Sequence, residues 1–338
     1  MTTLSPGTSG LPMLPVPEIP GRKQQPASSG PVAFTAGHHF ALSGETGPAA
    51  LAAAATAPLS VILQVTKRCD FDCVFCSETL QMGDPTLDQL DVIRGNLAGV
   101  QRVFLSGGEP LLRRDLPEIT DMYSGFILGL PTNATRGLVM APQLAGKAAF
   151  VNVGFDGPRA VFSRVRADGD RYDKVIAGIR AFQEAGLPVS LSAVVLRSTL
   201  HGLPYLCQIA DVLDAGKLKL ILPLRKGNAL GLAKHEFITV EEARDAFDRL
   251  TELRGIHDWR PAVRMTPWTA ETEGHMIVIE PNGNANAWPV YNRPDLFLPL
   301  GNLLEEPITA IWDRYPYKAN HYAKYLGASI YTAARSAA

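Results

Sequence analysis

Short apolar runs alternate with segments of helical period through the middle of the chain. The apolar runs predict buried strands, and the segments between them, whose apolar positions recur three or four residues apart, predict helices. The predicted strands are 60–65, 101–106, 126–131, 149–155, 188–196 and 217–224, and the predicted helices are 86–99, 115–123, 136–147, 170–185 and 202–215. This alternation indicates an α/β fold with a parallel sheet covered by helices.

Residues typical of helix ends support several of these boundaries. Asp84 and Pro85 suit the N-cap and the first position of the first helix. Gly186 and Gly216 suit the residue that follows a last helical turn, because glycine adopts the left-handed conformation needed there. We therefore expect one helix to begin at Asp84 and two others to end at these glycines.

The two ends of the chain have different patterns. Residues 1–58 are rich in proline, glycine, serine and threonine, which predicts a mostly disordered leader. After residue 226 the alternation gives way to a helix at 240–254, a hairpin around 276–283 and a final ordered stretch near 300–312. We therefore divide the chain into a leader at 1–58, a barrel at 59–226 and a small α+β cap at 227–338.

The composition excludes some classes of partner. The 338 residues contain 32 lysines and arginines against 33 aspartates and glutamates, so no excess of positive charge favours nucleic acid. No apolar stretch has the length of a membrane span. We expect a cytoplasmic protein with neither nucleic acid nor a membrane as partner, in a compartment where cysteines stay reduced.

Three of the four cysteines lie close together, directly after the first predicted strand. Cys69, Cys73 and Cys76 form a C-x3-C-x2-C pattern, whereas Cys207 is distant in the sequence. Three thiolates on one loop suit an iron–sulfur cluster with one iron left open. A structural zinc site is disfavoured because it takes four ligands, and a redox pair of Cys73 and Cys76 leaves Cys69 unexplained. Three unrelated buried cysteines are the simplest alternative.

Two glycines and a carboxylate end the second predicted strand. Gly107 and Gly108 allow the backbone to approach a ligand closely, and Glu109, which precedes Pro110, is able to accept a hydrogen bond from an amino group. By itself this motif is also typical of an ordinary turn. The order of strand, cysteine loop, helix, strand and Gly-Gly-Glu-Pro resembles the radical S-adenosylmethionine (SAM) superfamily, in which the motif holds the amino end of SAM.

This resemblance implies a fold, two cofactors and a set of site residues. It implies an open (βα)6 partial barrel of the TIM type, one 4Fe–4S cluster on the three clustered cysteines, and SAM at the open iron. The residues that would contact the cofactors are Phe75, Gly107, Gly108, Glu109, Pro110, Thr132, Asn133, Asp156 and Arg166. For Arg166 a solvated surface charge is an equal alternative, because Phe162 and Ala167 occupy positions where the family has histidine and glycine.

The C-terminal part resembles the SPASM or twitch extension of many family members. That extension normally binds auxiliary clusters through several cysteines, but no cysteine follows Cys207 in this chain. We therefore predict a cap without a cluster that shapes the substrate pocket. Cys207 lies among apolar residues of a predicted helix, which favours a buried structural thiol over a hydrogen donor.

Five other polar residues are weaker candidates for catalysis or substrate binding. Arg225 and Lys226 follow the sixth predicted strand and suit a substrate carboxylate or phosphate. Glu271, Glu273 and His275, near the predicted hairpin, suit proton transfer or a hydrogen bond to a sugar hydroxyl. Solvated surface positions are the alternative for all five.

The resemblance also implies the reaction class. An electron donor such as flavodoxin or ferredoxin would reduce the cluster, and the 5′-deoxyadenosyl radical from SAM would take a hydrogen atom from the substrate. Our first hypothesis is a small-molecule substrate, a sugar or nucleoside in antibiotic biosynthesis. Within that group the chain is similar to the cytosylglucuronate decarboxylases, which implies a carboxy-lyase. The alternatives are maturation of a ribosomally made peptide and, from another class, a non-catalytic iron–sulfur carrier.

Overall fold

The computed structural model describes residues 56–58, 60–78, 81–166, 169–266, 276–288, 299–315 and 332–333. The predicted leader lies outside these ranges apart from residues 56–58. Glu271, Glu273 and His275 also lie outside them, so their predicted roles stay predictions.

Eleven strands form a single sheet in the described part of the chain. Their bounds are β1 (Ser60–Thr66), β2 (Arg102–Gly107), β3 (Ile127–Thr132), β4 (Phe150–Gly154), β5 (Val189–Val194), β6 (Lys217–Ile221), β7 (Ala262–Thr266), β8 (Met276–Ile279), β9 (Asn284–Trp288), β10 (Pro299–Asn302) and β11 (Thr332–Ala333). The order across the sheet is β10-β9-β8-β1-β2-β3-β4-β5-β6-β7-β11.

Helices follow most of the parallel strands and cover one face of the sheet. They are α1 (Leu87–Gly95), α2 (Leu116–Met122), α3 (Gly137–Leu144), α4 (Arg159–Arg166), α5 (Tyr172–Glu184), α6 (Leu203–Val212), α7 (Val240–Ile256) and α8 (Ile308–Asp313). Short 3₁₀ helices include Pro110–Leu112 and Gly227–Gly231. Within these ranges no helix combines the length and the apolar character that crossing a membrane requires.

The predicted partial barrel is confirmed, and the sheet continues on both sides of it. Strands β1 to β6 pair in parallel in sequence order, as six strand and helix units require. Beyond them, β7 pairs in parallel with β6, and β8 pairs in parallel with β1 and antiparallel with β9. The predicted hairpin is therefore present, and strands from the predicted cap extend both edges of the barrel sheet.

Alternate residues of each strand face the helices, and the others face the inside of the barrel. In β1, the side chains of Val61, Leu63 and Val65 are fully buried in the core between sheet and helices. The residues between them, such as Gln64, point to the opposite face. The inward face carries many polar side chains, and the barrel interior is therefore chemically distinct from the core.

Two predicted helix boundaries were wrong. Thr86, not Asp84, caps α1, because its hydroxyl accepts from Gln89 N while the Gln89 side chain accepts from Thr86 N. The Asp84 carboxylate instead accepts a hydrogen bond of 2.6 Å from the Thr66 hydroxyl at the end of β1. Helix α6 ends at Val212, four residues before Gly216, and Asp214 takes the left-handed conformation with φ of 55°.

The prediction that Gly186 follows the end of a helix is confirmed. It follows the C-cap residue Ala185 of α5 and has φ of 77°, which glycine adopts without strain. The prediction missed α4 as a separate helix, because arginines surround its few apolar residues. In the fold Val161, Phe162 and Val165 are buried on one side of α4.

Gly178 lies where α5 packs closely against the turn after β3, and a larger residue there should destabilise the fold. A β-carbon at Gly178 would overlap the carbonyl oxygen of Ala134, so the turn would have to move. We expect Gly178→Ala to lower the free energy of unfolding by about 1–3 kcal/mol, measured by urea denaturation. The matched variant Gly95→Ala, where no atom lies within 4 Å of the added carbon, should change it by less than about 1 kcal/mol. Equal effects of the two variants would contradict this packing argument.

Candidate active site

The three clustered cysteines lie on the loop that leaves β1 at the carboxyl edge of the sheet. Cys69 is exposed, Cys76 is half-buried and Cys73 is buried. Burial raises the pKa of all three thiols, to about 11 for Cys69 and about 12 for Cys73. Without a compensating cation these thiols stay protonated at neutral pH, whereas metal ligation requires thiolates. A metal group bound to this loop would have to offset the effect of burial by stabilising the thiolates.

The three thiols of the loop lie near one another. A thiolate at Cys76 would raise the pKa of Cys69, and thiolates at Cys69 or Cys76 would raise that of Cys73. Three neighbouring thiols suit an iron–sulfur cluster, because each thiolate of such a site ligates a different iron. A mononuclear zinc site of this loop would need ligands from elsewhere.

The two glycines at the end of β2, Gly107 and Gly108, pack against the cysteine loop. A β-carbon on Gly107 would overlap the carbonyl oxygen of Thr66, and one on Gly108 would overlap that of Arg68. Because the glycines have no β-carbons, the backbones come close enough for Gly108 N to donate to Thr66 O at 2.9 Å and for Glu109 N to donate to Arg68 O at 2.8 Å. The glycines therefore let β2 support the start of the cysteine loop directly.

Glu109 is buried, and its carboxylate accepts three hydrogen bonds. Its Oε1 accepts from Leu111 N at 2.9 Å and from the Thr132 hydroxyl at 2.6 Å, and its Oε2 accepts from Asn133 N at 2.6 Å. A carboxylate has about four acceptor positions, so one on Oε2 is left for a ligand. Burial raises the pKa of this carboxyl to about 7. Pro110, also buried, begins the 3₁₀ helix that fixes Leu111 N at the carboxylate.

Thr132 and Asn133 join the Glu109 carboxylate to the cysteine loop. The Asn133 side chain donates to Asp70 Oδ1 at 2.6 Å, and Thr135 donates its hydroxyl to the other Asp70 oxygen at 2.8 Å. Asp70 follows Cys69 directly and also forms a salt bridge of 2.8 Å with Arg171. The sequence analysis missed Asp70 and Arg171, for which the only available signal was the position of Asp70 between the cysteines.

Arg166 is buried beside the cysteine loop, so the alternative of a solvated surface charge was wrong. Its exposed fraction is 8%, its Nε donates to the Asp156 carboxylate, and its Nη1 lies 3.8 Å from the Cys73 sulfur. The guanidinium also lies 5.6 Å from the centre of the Phe75 ring. This positive charge lowers the pKa of Cys73 against the larger effect of burial. Asp156, which is fully enclosed, orients the arginine and also accepts from Val194 N.

A segment after β6 binds the other side of the cysteine loop. Asn228 N donates to Cys76 O at 2.9 Å, and the Asn228 side chain donates to Cys73 O at 3.0 Å. Gly227, with φ of 59°, allows this approach because a β-carbon would overlap the Cys76 carbonyl. Asn228 was not predicted from the sequence, since nothing local to it indicates its partner.

Two of the weaker candidates, Lys226 and Arg225, lie near this segment. Lys226 forms a salt bridge of 2.9 Å with Glu78, whose second oxygen lies 2.8 Å from Lys67 Nζ. Lys67 also lies 3.4 Å from Glu280, which follows the hairpin strand β8. Arg225 is exposed and lies over the Phe237 ring at 4.5 Å. These ion pairs connect the cysteine loop to the segment after β6 and to the end of β8.

Cys207 lies away from this loop. It is buried in α6, which packs against β6 and α7, and burial raises the pKa of its thiol to about 12. The predicted buried thiol is confirmed.

Comparison with known proteins agrees with this geometry. The family model of the radical SAM superfamily matches residues 63–204. A probable GTP 3′,8-cyclase of Halobacterium salinarum is 30% identical over 275 residues, which cover 72% of each chain. A PqqA peptide cyclase of Rhodopseudomonas palustris is 33% identical over 175 residues, which are 48% of this chain and 46% of that protein. The chain therefore spans less than half the length of the peptide cyclase.

A solved structure, native anSMEcpe with bound AdoMet and Kp18Cys peptide, has the same fold. Its TM-score is 0.64 at 16% identity, and the alignment covers 80% of this chain and 84% of that one. The segment that the family model matches, residues 63–204, begins in β1 and includes the cysteine loop, the Gly-Gly-Glu-Pro strand and Arg166. The family model matches the segment with the motifs, the solved structure has the same fold, and the GTP cyclase is 30% identical over 72% of its length. The chain therefore belongs to the radical SAM superfamily and uses that family's cofactors, a 4Fe–4S cluster and SAM.

Proposed function

We propose that this enzyme acts on a small, hydroxyl-rich metabolite, a sugar or a nucleoside. Cys69, Cys73 and Cys76 each ligate one iron of the cluster in this proposal. Glu109 accepts a hydrogen bond from the amino group of SAM, and Arg166 provides positive charge beside the thiolates. When bound, the two cofactors supply a 5′-deoxyadenosyl radical that removes a hydrogen atom from the substrate.

One buried atom carries the proposal of a hydroxyl-rich substrate. Gln64 Oε1 is buried on β1 and has no hydrogen-bond partner within the described ranges. Gln64 faces the barrel interior, directly opposite Ser106 in the β1–β2 register, one strand position from the Glu109 motif. A buried acceptor without a donor costs about 1–3 kcal/mol, which a substrate hydroxyl would recover.

Other interior positions offer similar groups. The Asn152 side chain donates to the Ser190 hydroxyl at 2.8 Å, and Ser192 lies two residues further along the same face of β5. Such hydroxyls and amides exchange hydrogen bonds with a sugar more readily than with an apolar side chain. The GTP cyclase similarity, which extends over most of both chains, also favours a substrate with a nucleoside part.

A peptide substrate is the second candidate. It is favoured by the 33% identity to a peptide cyclase, although that similarity covers 46% of the relative. In either case the barrel must exclude water and hold one C–H bond of the substrate in position.

Two further assignments belong to the same proposal, an electron donor and a location. We assign reduction of the cluster to flavodoxin or ferredoxin, and we place the enzyme in the cytoplasm, where thiols stay reduced.

Loss of carbon dioxide from cytosylglucuronate is the narrowest form of the proposal. It is tested by adding that compound and measuring released carbon dioxide.

The proposal is tested by reconstituting the enzyme without oxygen and adding SAM and dithionite. We expect slow 5′-deoxyadenosine formation without substrate, because dithionite supplies the electron that cleaves SAM and the radical then takes a hydrogen atom from buffer or protein. Sugar nucleosides should accelerate 5′-deoxyadenosine formation, and deuterium-labelled sugar nucleosides should lose deuterium during the reaction. Peptides should have neither effect. The absence of 5′-deoxyadenosine would favour the non-catalytic iron–sulfur carrier. Acceleration by peptides alone would favour the second candidate.

A further inference from the structure

A carboxylate at the end of the cysteine loop lies between two lysines from different parts of the fold. Glu78 Oε2 lies 2.8 Å from Lys67 Nζ, and Glu78 Oε1 lies 2.9 Å from Lys226 Nζ. Lys67 directly follows β1, whereas Lys226 follows β6, and strands β2 to β5 lie between these two in the sheet. A single carboxylate thus fixes the end of the cysteine loop to both segments.

These charged groups are largely shielded from water. The side chain of Lys67 is 1% exposed, and those of Glu78 and Lys226 are 18% and 21% exposed. Lys67 also lies 3.4 Å from Glu280, whose other oxygen accepts from Asn286 Nδ2 at 3.3 Å. Apolar side chains of similar volume often stabilise a fold as well as a buried ion pair does, so stability alone does not account for the charges.

Glu78 also lies close to one of the three clustered cysteines. Its carbonyl oxygen accepts a hydrogen bond of 3.4 Å from the Cys76 thiol. Burial raises the pKa of that thiol, and the negative charge of the Glu78 side chain raises it further. The charge of Glu78 therefore acts on the sulfur atom that would ligate iron.

We propose that Glu78 is a positioning residue that keeps the reduction potential of the cluster low by offsetting the positive charges of Lys67 and Lys226 beside the loop. The inference rests on the proposed function in one respect, namely that Cys76 ligates the cluster. Reduction adds one electron to the cluster, and nearby positive charge favours the added negative charge. The two lysines alone would therefore raise the potential, and the carboxylate that they hold in place opposes this effect. A lower potential makes the reduced cluster a stronger electron donor toward SAM.

The test measures the reduction potential of the reconstituted holoenzyme without SAM. Dithionite supplies the electron, and electron paramagnetic resonance reports the reduced cluster during the redox titration. Glu78→Gln keeps the shape of the side chain but removes its charge, so its cluster should be easier to reduce. We expect the ratio of reduced to oxidised cluster at the wild-type midpoint to rise roughly tenfold, which is a shift of about 59 mV for one electron. Glu78→Asp keeps the charge and should remain closer to the wild-type potential.

A second variant, Lys226→Met, separates a charge effect from loosening of the loop. Loss of this cation should make the cluster harder to reduce, so its potential should shift in the direction opposite to that of Glu78→Gln. A merely structural role would instead admit water to the loop in both variants, and both potentials would then shift in the same direction. Shifts of the same sign, or an unchanged potential in Glu78→Gln, would overturn the proposal.

The control is Glu252→Gln, the same substitution at an exposed position of α7. It should keep the wild-type potential. The iron content of each variant is measured before the titration, because loss of the cluster would prevent the comparison. If Glu78→Gln binds too little iron, Lys226→Met decides alone, and a raised or unchanged potential in that variant would count against the proposal.

The outcomes separate this inference from the proposed function. If the wild type cleaves SAM but Glu78→Gln keeps the wild-type potential, only the role of Glu78 is overturned. If the potentials shift as expected but the wild type cleaves no SAM, the role of Glu78 is kept and the proposed function is overturned.

Discussion

Replacing Cys73 by alanine is expected to remove the cluster and with it all SAM cleavage. Cys73 is the most enclosed of the three thiols and has Arg166 at 3.8 Å, so its thiolate is held in one position by the surrounding protein. Loss of a direct ligand should exceed the roughly 10–100-fold loss of metal affinity that is typical of outer partners. The measurement is iron and sulfide content after anaerobic reconstitution, which should fall from about four irons per chain to nearly none.

The matched control is Cys207→Ala, which removes the one cysteine outside the loop. This thiol is buried in α6, and its loss should leave the iron content unchanged while lowering stability by about 1 kcal/mol. Equal loss of iron in both variants would mean that Cys207 is a fourth ligand. That result would contradict the open iron on which SAM cleavage depends.

The second large effect is expected for Glu109→Gln, which should weaken SAM binding by about 30-fold or more while the cluster stays bound. The carboxylate has one acceptor position left on Oε2. A glutamine amide that keeps the two hydrogen bonds at Oε1 would present N–H groups at that position instead. Losing a buried charged partner of a ligand costs about 2–5 kcal/mol. Equilibrium dialysis of the reconstituted enzyme with SAM measures the effect.

The pH dependence gives a second check on Glu109. Burial raises the pKa of its carboxyl to about 7, so the ionised acceptor forms as the pH rises through that value. The ratio of the dissociation constants of variant and wild type should therefore widen from pH 6 to pH 8. Glu118→Gln, at an exposed position of α2, should bind SAM as the wild type does at every pH. A constant ratio for Glu109→Gln would show that the ionised carboxylate does not contact SAM.

The sequence predicted the barrel strands well because parallel strands buried on the helix side contain continuous apolar runs. It predicted the three-cysteine loop because those residues are neighbours in the chain. Arg166 was undecided, since its burial depends on Asp156, Phe75 and Cys73, which reach it from three different segments. Local patterns do not encode such contacts.

The interior lysines show a different limit of sequence reasoning. The alternation in β6 predicts that Lys217 and Lys219 share one face of a strand. It does not tell which face is solvent and which is the barrel interior. That distinction appears only in the fold, where Leu218 and Leu220 are buried against the helices.

The hydrogen bonds from Asn228 to Cys73 and Cys76 have a consequence for biogenesis. Asn228 and Cys73 are 155 residues apart in the sequence. The loop therefore lacks this support until translation has passed β6 and that strand has docked. A nascent chain therefore exposes the three thiols well before they are held in their final arrangement. We therefore expect stable iron insertion to need an almost complete polypeptide, and oxidation of the exposed thiols before that point to be the main hazard.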